Sequence, residues 1–473
     1  MSLSTVPRYR PEGVRETSDD AIVVGASMAG MLAARVLADR YAAVTVIDRD
    51  PLVNEPTPRP GVSQATQPHA LLEGGHAIIE DLFPGYCDAL VEAGGVPVDT
   101  GTDVESYNDD VELARSGTER TMYCASRPLF ELVVRRHLAA VVGVELRGGC
   151  TFIDYRHDDR QNAVEGVQVR EGTGEMTTLE ADLVVDATGR TSRTPTWLAE
   201  HGYPDPPLDE VRIDLQYGTV QVRRPPDEHR TVLLPASHPN RRGGILVPVE
   251  GDRWLVNLHG FHGDHPPGDI EGLRRFADGL AAPVLADLLD DASVVSESVD
   301  RYPIPSSRRY RYEYLDRFPA GLLVVGDAIA SFNPIYAQGM TVAAFEALAL
   351  HHTLADGVDD LATRFFGAAA SVVDTAWSLG VGPDFEFPET DGPRPSGGRI
   401  AGWYVSRLRR RARSDPVLTE ALTRVIHFER PPSSLFHPRV MWRVLSPVAG
   451  WFGSAEPESN TAGVTVPPPP NEE

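Results

Sequence analysis

The chain has 473 residues, a formal net charge of −24 at pH 7 and 41% hydrophobic residues. This length allows two or three structural units with a buried core, and the hydrophobic fraction is that of a folded chain. A surplus of acids this large repels nucleic acid and anionic lipid, so we expect neither as a default partner.

Every one of the 44 basic residues is arginine, because the sequence contains no lysine. That absence excludes the mechanisms that need one: Schiff-base chemistry, a Walker A phosphate loop and the relay of hypohalous acid by a lysine. The composition is typical of a salt-adapted cytosol or of a GC-rich genome, and it does not separate the two. The 3 cysteines are too few for a disulfide framework or a zinc site.

The start of the chain, residues 1–20, is polar and predicts a loose lead-in without the apolar core of a signal peptide. No stretch reaches the roughly 18 uninterrupted apolar residues of a membrane-spanning helix. We therefore expect a cytoplasmic protein without a membrane span.

The first regular elements follow at once. Residues 21–25 and 44–48 are short apolar runs that predict buried strands, and the Ala- and Leu-rich residues 28–40 between them predict a helix. Strand, helix and strand at this spacing form a βαβ unit with parallel strands. Helical patterns then cover 69–83 and 128–141, and a further buried strand covers 183–186.

The pattern changes over 209–262, where β-branched and aromatic segments partly alternate with polar residues and predict an antiparallel sheet. Helical patterns return near 270–290. A buried strand is predicted at 321–326 and a strong helix at 339–352. The segment 400–455 is helical and rich in arginine and tryptophan.

The loop between the first strand and helix carries a glycine pattern typical of dinucleotide binding, with serine at its middle position. The first glycine makes the tight turn, the last lets the helix pack on the strand, and the helix N-terminus favours a pyrophosphate. We expect the cofactor contacts of this loop to come from Gly25, Ser27, Met28, Ala29 and Gly30.

The second strand ends at Asp48, which follows Gly30 by 18 residues, and we expect Asp48 and the next residue, Arg49, to bind the cofactor. An acid at this position binds a ribose hydroxyl in dinucleotide-binding folds. It favours a free 2′-hydroxyl, and hence FAD or NAD rather than NADP.

A second site some 300 residues downstream distinguishes FAD from NAD. Gly326-Asp327 follows a buried strand, and Pro334 precedes a helix that starts at Gly339 and Met340. The aspartate can bind a polyol hydroxyl, and the helix start presents free N–H groups to a carbonyl or anionic oxygen. A long cofactor such as FAD needs such a site at its other end, whereas nicotinamide binding does not.

Taken in order, these segments resemble a flavin monooxygenase of the p-hydroxybenzoate hydroxylase fold, and within that group the epoxidases of polyether biosynthesis. The resemblance covers about 21–352 and is carried by VVGASMAGMLAARVL, VTVIDRD, RPGVSQATQPHALLEGG, CASRPLFELVVR, ADLVVDATGRTSR and VVGDAIASFNPIYAQGM. It implies that Arg127 reaches the FAD pyrophosphate or ribose. It also implies that Arg59, Gln64 and His69 lie beside the flavin.

Together, the patterns of the residues and the resemblance predict an α/β (α+β) fold with five parts. These are a loose N-terminal segment (1–20), a discontinuous Rossmann-like FAD-binding domain with a parallel sheet (21–208 and 300–380), an antiparallel-sheet substrate domain (209–299), a helical C-terminal region (381–455) and a disordered tail (456–473).

In function, the resemblance implies an FAD-dependent monooxygenase that uses O₂ to hydroxylate or epoxidise a small lipophilic substrate through a flavin C4a-hydroperoxide. Two alternatives stay open: a flavin reductase like geranylgeranyl reductase, and a non-catalytic dinucleotide sensor. No catalytic residue is named, because positioning the flavin and excluding water need no acid, base or nucleophile.

One motif departs from the family pattern. Thr188 stands where the family has an aspartate that touches FAD and NADPH. The electron donor therefore stays open between NAD(P)H and a separate flavin reductase, and a homo-oligomer is a further possibility.

Three further groups have ordinary explanations. Apolar residues of the predicted sheet are more often core than substrate pocket: Leu215, Tyr217, Leu246 and Trp254. The histidines at 259, 262 and 265 fall on a predicted loop and are more often surface residues, so no metal site is expected. The basic run at 407–413 is either a solvated helix face or a contact with another domain or partner.

Overall fold

The computed structural model describes residues 1–158, 160, 162–291, 293–394 and 398–446. Within these residues the strands, numbered along the chain, are β1 (Asp20–Val24), β2 (Ala43–Asp48), β3 (Ala70–Leu71), β4 (Val96–Asp99), β5 (Val104–Asn108), β6 (Val111–Glu112), β7 (Thr121–Cys124), β8 (Val144–Gly148), β9 (Thr151–Asp158), β10 (Ala163–Arg170), β11 (Met176–Glu180), β12 (Leu183–Asp186), β13 (Leu208–Arg223), β14 (Thr231–Leu234), β15 (Arg242–Val249), β16 (Arg253–Phe261), β17 (Asp300–Tyr310), β18 (Leu322–Val324) and β19 (Ala330–Ser331).

The α-helices are numbered in the same way. They are α1 (Met28–Leu37), α2 (Glu73–Leu82), α3 (Tyr86–Glu92), α4 (Arg127–Ala139), α5 (Thr194–Glu200), α6 (Ile270–Ala277), α7 (Val284–Asp291), α8 (Gly339–Ala355), α9 (Leu361–Val381), α10 (Gly398–Ala412), α11 (Pro416–Ile426) and α12 (Pro438–Leu445).

Five strands form a parallel sheet in the order β18-β12-β1-β2-β8. β1 pairs in parallel with β12 on one side and β2 on the other, and α1 connects β1 to β2. α1 packs on both α4 and α8, so helices from distant parts of the chain meet over this sheet. The predicted βαβ unit and its parallel sheet are confirmed.

Eight strands form a second sheet in the order β19-β17-β13-β16-β15-β14-β5-β6. Its central strands pair antiparallel, as predicted for 209–262. The hairpin between β15 and β16 turns through Glu250, Gly251 and Asp252, of which Gly251 and Asp252 have positive φ values of +71° and +53°. One face of the sheet packs on α6 and α7, and the other packs on the end of α9.

Strands on both sides of this sheet come from outside the range 209–262 that was predicted to form it. β17, which sequence analysis assigned to the FAD-binding domain, pairs along β13, and β5 adds a parallel edge to β14. Pairings over so many residues leave no local signal in the sequence. The predicted domain boundaries themselves stay a prediction.

The N-terminal segment is packed, contrary to the expected loose lead-in. The Met1 amino group donates to Thr375 Oγ1 at 2.9 Å, and Leu3 N donates to the Phe428 carbonyl oxygen at 2.9 Å. Tyr9 is buried. The few apolar residues of this segment therefore pack into the main core. The mostly polar composition of the segment gives no sign of this packing in the sequence.

The described part of the C-terminal region, 398–446, is largely helical, and α10, α11 and α12 share a separate small core. Residues 447–455 of the predicted helical region lie outside the described residues. The expected disordered tail at 456–473 lies outside the described residues. Among the helices that the structure describes, none has the length and hydropathy needed to cross a membrane.

Candidate functional site

Two glycines shape the turn from β1 into α1. Gly25 has φ +112°, and a Cβ on it would lie 2.5 Å from the Ala187 carbonyl oxygen. A Cβ on Gly30 would lie 1.9 Å from the Gly25 carbonyl oxygen. The helix therefore starts directly against the strand, and the N–H groups of Met28 and Ala29 are placed where a helix N-terminus favours an anion.

Asp48 ends β2 beside this turn. Its Oδ2 accepts hydrogen bonds from Ala26 N at 2.8 Å and Arg59 Nη1 at 3.0 Å, and its Oδ1 accepts from Asp50 N at 2.9 Å. Because a carboxylate has about four acceptor positions, one remains on Oδ1 for a ribose hydroxyl. Arg49, the next residue, is exposed.

A buried carboxylate, Glu131 on α4, links the predicted cofactor residues. Its Oε1 accepts from Ser27 Oγ at 2.6 Å and Arg127 Nε at 2.9 Å, and its Oε2 accepts from Arg59 Nη2 at 2.7 Å. Arg127 Nη2 also donates to Ser27 Oγ at 2.8 Å. Burial would raise the pKa of Glu131, but the charges of Arg127 and Arg59 outweigh it and hold that pKa below its ordinary value.

Sequence analysis missed Glu131. Its spacing of four residues after Arg127 is that of an ordinary surface ion pair on a helix. The signal that could have found it is the apolar sequence on both sides, PLF before and LVV after, which predicts burial at this position.

The downstream Gly-Asp segment packs against the first helix. Gly326 has φ +67°, and a Cβ on it would lie 2.6 Å from the Ala29 side chain. Its N–H donates to Glu346 Oε2 on α8 at 2.6 Å. The two predicted glycine-containing sites, about 300 residues apart in sequence, therefore meet in space.

Asp327 and Arg127 face one cleft. Asp327 is accessible to solvent, yet protein surrounds it closely enough that burial raises its pKa, against the opposing charges of Arg127 and Arg190. A side chain that is both accessible and enclosed in this way lines a cleft rather than the outer surface.

The N-terminus of α8 opens into free space. Gly339 is exposed, and a Cβ on it would meet no heavy atom within 4 Å among the described residues. Met340, the next residue, is buried and Pro334 is exposed. The Gln338 side chain is buried, and in the described part of the chain neither its amide nitrogen nor its oxygen has a hydrogen-bond partner.

The loop that leads into β3 also reaches the cleft. The His69 ring bonds the Gln67 carbonyl oxygen through Nδ1 at 2.8 Å. Burial, assisted by the charge of Arg127, lowers the pKa of His69 to about 3, so the ring is neutral. Arg59 shares Glu131 with Arg127, and His69 lies close enough to Arg127 to feel its charge. Gln64 makes a turn through its carbonyl oxygen, which accepts from Gln67 N. The predicted place of these three residues beside the flavin stays a prediction.

One face of the antiparallel sheet carries a buried polar chain. Asn257 Nδ2 donates to Thr219 Oγ1 at 2.9 Å, and Thr219 Oγ1 donates to Gln67 Oε1 at 2.6 Å. His259, in β16, bonds Asn257 Oδ1 through Nδ1 at 3.2 Å, and burial lowers its pKa to about 3. Within the described residues, His259 Nε2 and the Tyr217 hydroxyl have no hydrogen-bond partner.

The apolar candidates divide between the two faces of this sheet. Leu215 and Tyr217 belong to the core on the side of α9, whereas Leu246 and Trp254 pack with α6 and α7 on the opposite side. Only the first pair is on the face that carries the polar chain.

The predicted histidine loop is wrong at His259, which is a strand residue because Gly260 and Phe261 continue the pairing with β13. His262 bonds Thr390 and His265 bonds the Asp214 carbonyl oxygen. Among the residues that the structure describes, no three His, Cys, Asp or Glu side chains are arranged to hold a metal ion.

Tyr302 connects this sheet face to the Gly-Asp site. It is the β17 neighbour of Tyr217, and its hydroxyl bonds Ser63. Burial raises the pKa of Tyr302, with a smaller rise from the charge of Asp327 and an opposing effect of Arg190. Tyr302 therefore places the polar face of the sheet close to Asp327.

A second carboxyl group adjoins Tyr217. Asp384 is buried, its Oδ1 accepts from Asn333 Nδ2 at 2.7 Å, and burial raises its pKa to about 8. Its Oδ2 has no partner in the described ranges. Arg409 on α10 interacts with the nearby Tyr336. Sequence analysis left two interpretations for the arginines at 407–413, a solvated helix face or a contact with another domain or partner, and Arg409 makes a contact of the second kind.

The motif in which Thr188 takes the place of the family's aspartate forms a compact turn. Asp186 accepts from Thr188 N at 2.9 Å, Thr188 Oγ1 at 2.6 Å and Thr194 Oγ1 at 2.5 Å. Thr188 thus caps the end of β12 with its own hydroxyl. Arg190, which follows it, donates to Ser331 Oγ at 2.6 Å and faces Asp327.

These residues fit FAD, which is long and has an anionic middle. Asp48 offers an acceptor at one end, Arg127 and the α1 N-terminus offer positive potential in the middle, and Asp327 and the open N-terminus at Gly339 stand at the other end. The unpartnered Gln338 amide beside Gly339 is a polar group that a bound ring system would satisfy.

Comparison with known families and proteins agrees with this fit. The profile of the family described as FAD binding domain matches residues 18–364. Protein Rv3254 of Mycobacterium tuberculosis is 34% identical over 429 residues, which cover 86% of this chain and 89% of that protein.

Solved structures share the fold at low sequence identity. PqsL, a probable FAD-dependent monooxygenase from Pseudomonas aeruginosa, superposes with a TM-score of 0.57 at 19% identity and covers 78% of this chain and 97% of its own. The p-nitrophenol 4-monooxygenase PnpA of Pseudomonas putida gives 0.59 at 17%, covering 88% and 99%. The flavin-dependent brominase Bmp2 gives 0.58 at 17%, covering 87% and 94%.

Proposed function

The chain belongs to the family described as FAD binding domain and is an FAD-dependent oxidoreductase, and from this premise we propose that it is a monooxygenase. The reaction inserts one atom of O₂ into a lipophilic organic substrate by hydroxylation or epoxidation. The other oxygen atom leaves as water, which requires two electrons and two protons from a reduced nicotinamide dinucleotide or from a separate flavin reductase.

The observation that carries the proposal is the shared cleft. Tyr302, on the polar face of the sheet, is close enough to Asp327 for the carboxylate charge to raise the pKa of its phenol. The face that carries Tyr217 and His259 therefore borders the same space as the cofactor residues. A substrate held on that face would meet the end of the cofactor that lies at Gly339.

The protein residues have separate tasks in this proposal. Arg127, Arg59 and Ser27 bind the pyrophosphate, Asp48 binds the ribose of the adenosine, and Asp327 binds the polyol chain. The N–H groups of Gly339 and Met340 stabilise negative charge at the edge of the ring system. When bound, FAD supplies the redox chemistry and the activation of O₂.

The substrate side is apolar with a few buried polar groups. Leu215, Phe261 and Trp377 contribute to its apolar core. Tyr217 and Asp384 add polar atoms that have no hydrogen-bond partner within the described residues. This combination fits a lipophilic molecule with oxygen functions better than a plain hydrocarbon, because buried polar atoms need partners.

The test starts from the visible spectrum and bound flavin of the purified protein. Oxygen uptake with NADH and with NADPH is then measured across a panel of polyprenols, polyenes and phenols, and products formed under ¹⁸O₂ are analysed by mass spectrometry. We expect substrate-dependent O₂ uptake and one ¹⁸O atom in the product. Substrate reduction without ¹⁸O would overturn the proposal in favour of a reductase.

Two variants on opposite faces of one sheet sharpen this test. Tyr217→Phe removes a buried hydroxyl that has no hydrogen-bond partner among the described residues, on the sheet face that carries Thr219 and His259, and we expect a higher KM at unchanged flavin content. Trp254→Phe is the matched control, because Trp254 packs toward α6 and α7. An equal change of KM in both variants would count against the proposed position of the substrate.

A further inference from the structure

The C-terminal helical region has a charge opposite to that of the whole chain. Residues 398–446 contain ten arginines and three acidic residues, a net charge of +7, whereas the chain carries −24. The remaining residues are therefore even more acidic than the total suggests. Such a separation of charge indicates a surface that meets an anionic partner.

Some arginines of this region are already hydrogen-bonded or ion-paired within the protein. Arg407 Nε donates to the Val444 carbonyl oxygen at 2.7 Å, Arg413 pairs with Asp109 at 2.7 Å, and Arg443 pairs with Asp415 at 2.8 Å. Each of these contacts ties α10 or α12 to its neighbours, so the two helices form a fixed unit.

Two other arginines point outward. Arg410 on α10 and Arg439 on α12 are exposed and make no ion pair within the described ranges 1–158, 160, 162–291, 293–394 and 398–446. Nothing in that part of the molecule neutralises them.

Large apolar side chains accompany these two arginines. On α10, Ile400 is 81% and Trp403 54% exposed, and on α12, Trp442 is 75% and Leu445 44% exposed. Both exposed tryptophans of the described residues are here. Each helix buries its opposite side, so these residues are additional to the apolar residues that hold the region together.

Helical spacing places charge and apolar groups together. Arg410 follows Trp403 by seven residues, and Arg439 precedes Trp442 by three, so each arginine is on the same side of its helix as the tryptophan. We call this set the C-terminal face: Ile400, Trp403, Arg410, Arg439, Trp442 and Leu445.

We propose that the C-terminal face binds the surface of a membrane that contains anionic lipid. Tryptophan and aliphatic side chains enter the boundary between head groups and acyl chains, and arginine pairs with lipid phosphate. Charge complementarity selects this occupant, since a +7 region attracts an anionic surface. The acidic remainder of the chain is screened beyond about 8 Å at physiological ionic strength.

The position of α10 suits such a docking mode. The helix that presents Ile400 and Trp403 outward also carries Arg409, which reaches Tyr336 beside the cleft. Sequence analysis expected anionic lipid to be a poor partner from the charge of the whole chain, and the proposal departs from that expectation at this face.

The experiment is vesicle flotation with the full-length, flavin-loaded protein. Vesicles of phosphatidylcholine alone are compared with vesicles that also contain phosphatidylglycerol, at low and high salt. We expect binding only with phosphatidylglycerol and weaker binding at high salt. The double variant Trp403→Ser/Trp442→Ser should lower vesicle partitioning by about tenfold or more, since two large side chains leave the interface.

A matched control is the double variant Val142→Ser/Tyr314→Ser, which removes exposed apolar side chains elsewhere on the surface. It should bind vesicles like the unchanged protein, and all variants should keep their flavin content and melting temperature. The proposal would be overturned if both double variants bound vesicles equally well. It would also be overturned if the protein bound vesicles to the same extent with and without phosphatidylglycerol.

Two other occupants would also overturn it. A dimer in light scattering that Trp403→Ser/Trp442→Ser abolishes, with no vesicle binding, would make the face an interface between copies. Vesicle binding that appears only after removal of residues 447–473 would make the chain's own tail the occupant. None of these outcomes depends on the monooxygenase proposal, because none uses turnover.

Discussion

Replacement of Glu131 by glutamine tests whether Arg59 and Arg127 face a bound pyrophosphate. In the protein alone, the Glu131 carboxylate compensates both guanidinium groups, with contacts of 2.7 Å to Arg59 and 2.9 Å to Arg127. If the two arginines also bind the cofactor phosphates, FAD supplies negative charge that partly replaces the lost carboxylate. The variant should therefore be destabilised more without FAD than with it.

The magnitude follows from the buried pairs. Breaking a buried ion pair by removing one partner costs about 3–5 kcal/mol, and glutamine keeps one acceptor oxygen, so we expect a loss of about 2 kcal/mol without FAD. An unfolding entropy of roughly 2.1 cal/mol/K per residue gives about 1 kcal/mol/K for the whole chain, so the melting temperature should fall by about 2 °C.

The assay compares urea denaturation and thermal melting of Glu131→Gln and the unchanged protein, each with and without saturating FAD. We expect the FAD-dependent stabilisation to be larger in the variant by about 1 kcal/mol, and by linkage its FAD affinity should be several-fold tighter. The matched control is Glu420→Gln, which breaks the partly buried pair with Arg120 at 3.1 Å. That loss should be the same with and without FAD.

An equal loss of stability in Glu131→Gln with and without FAD would refute the reasoning. It would mean that Arg59 and Arg127 only fasten α4 to the first loop, and the proposed place of the pyrophosphate would have to be abandoned. A weaker FAD affinity in the variant would have the same consequence, since it would show that the carboxylate itself is needed in the bound state.

The other predictions concern Asp48, Gly339 and Asp384. Asp48→Ala should weaken FAD binding by about 2 kcal/mol or more and Asp48→Asn by less, because a charged acceptor is lost, and full flavin occupancy after purification of the alanine variant would contradict this. Gly339→Val has space for its side chain and should fold, but it should lower the flavin reduction potential and raise H₂O₂ release; an unchanged potential and coupling would separate this segment from the flavin. The pKa of Asp384 is raised from 3.8 to about 8, so the folded state binds its proton more tightly and stability falls as pH rises between these values. Asparagine has no proton to lose, so Asp384→Asn avoids this loss of stability. The difference in denaturation midpoint between Asp384→Asn and the unchanged protein should therefore grow in favour of the variant from pH 4 to 8 and then stay level. A difference that does not change with pH would contradict the raised pKa.

Sequence analysis located both ends of the proposed cofactor site because each has a local steric requirement. Gly30 must lack a side chain for α1 to pack, and Gly326 must lack one to lie on Ala29.

Long-range contacts left no such trace. Glu131 has the spacing of a surface ion pair, and only the fold shows that Arg59 approaches it from a loop 72 residues away. His259 precedes a glycine and was assigned to a loop, but pairing with Tyr217 on the neighbouring strand makes it a strand residue. Periodicity describes one element at a time and cannot show which elements meet.

Two buried polar groups near the antiparallel sheet, Tyr217 and Asp384, each have an atom without a hydrogen-bond partner among the described residues. An unpartnered buried polar atom costs about 1–3 kcal/mol, and such atoms occur at several scattered positions of the described chain, Tyr86 and Trp197 among them. What distinguishes Tyr217 and Asp384 is that they lie together, since burial and then the charge of Asp384 raise the pKa of the Tyr217 phenol.

A fold retains neighbouring polar groups without partners most readily where a ligand supplies the partners. Asp384, with its pKa raised to about 8, is protonated at neutral pH and can donate a hydrogen bond to a substrate oxygen through its free Oδ2. The Tyr217 hydroxyl can donate or accept beside it. A lipophilic substrate with a carbonyl or hydroxyl group would satisfy both at once, whereas a hydrocarbon would leave their cost in place. The chemistry of the cleft therefore favours the oxygenated members of the substrate panel.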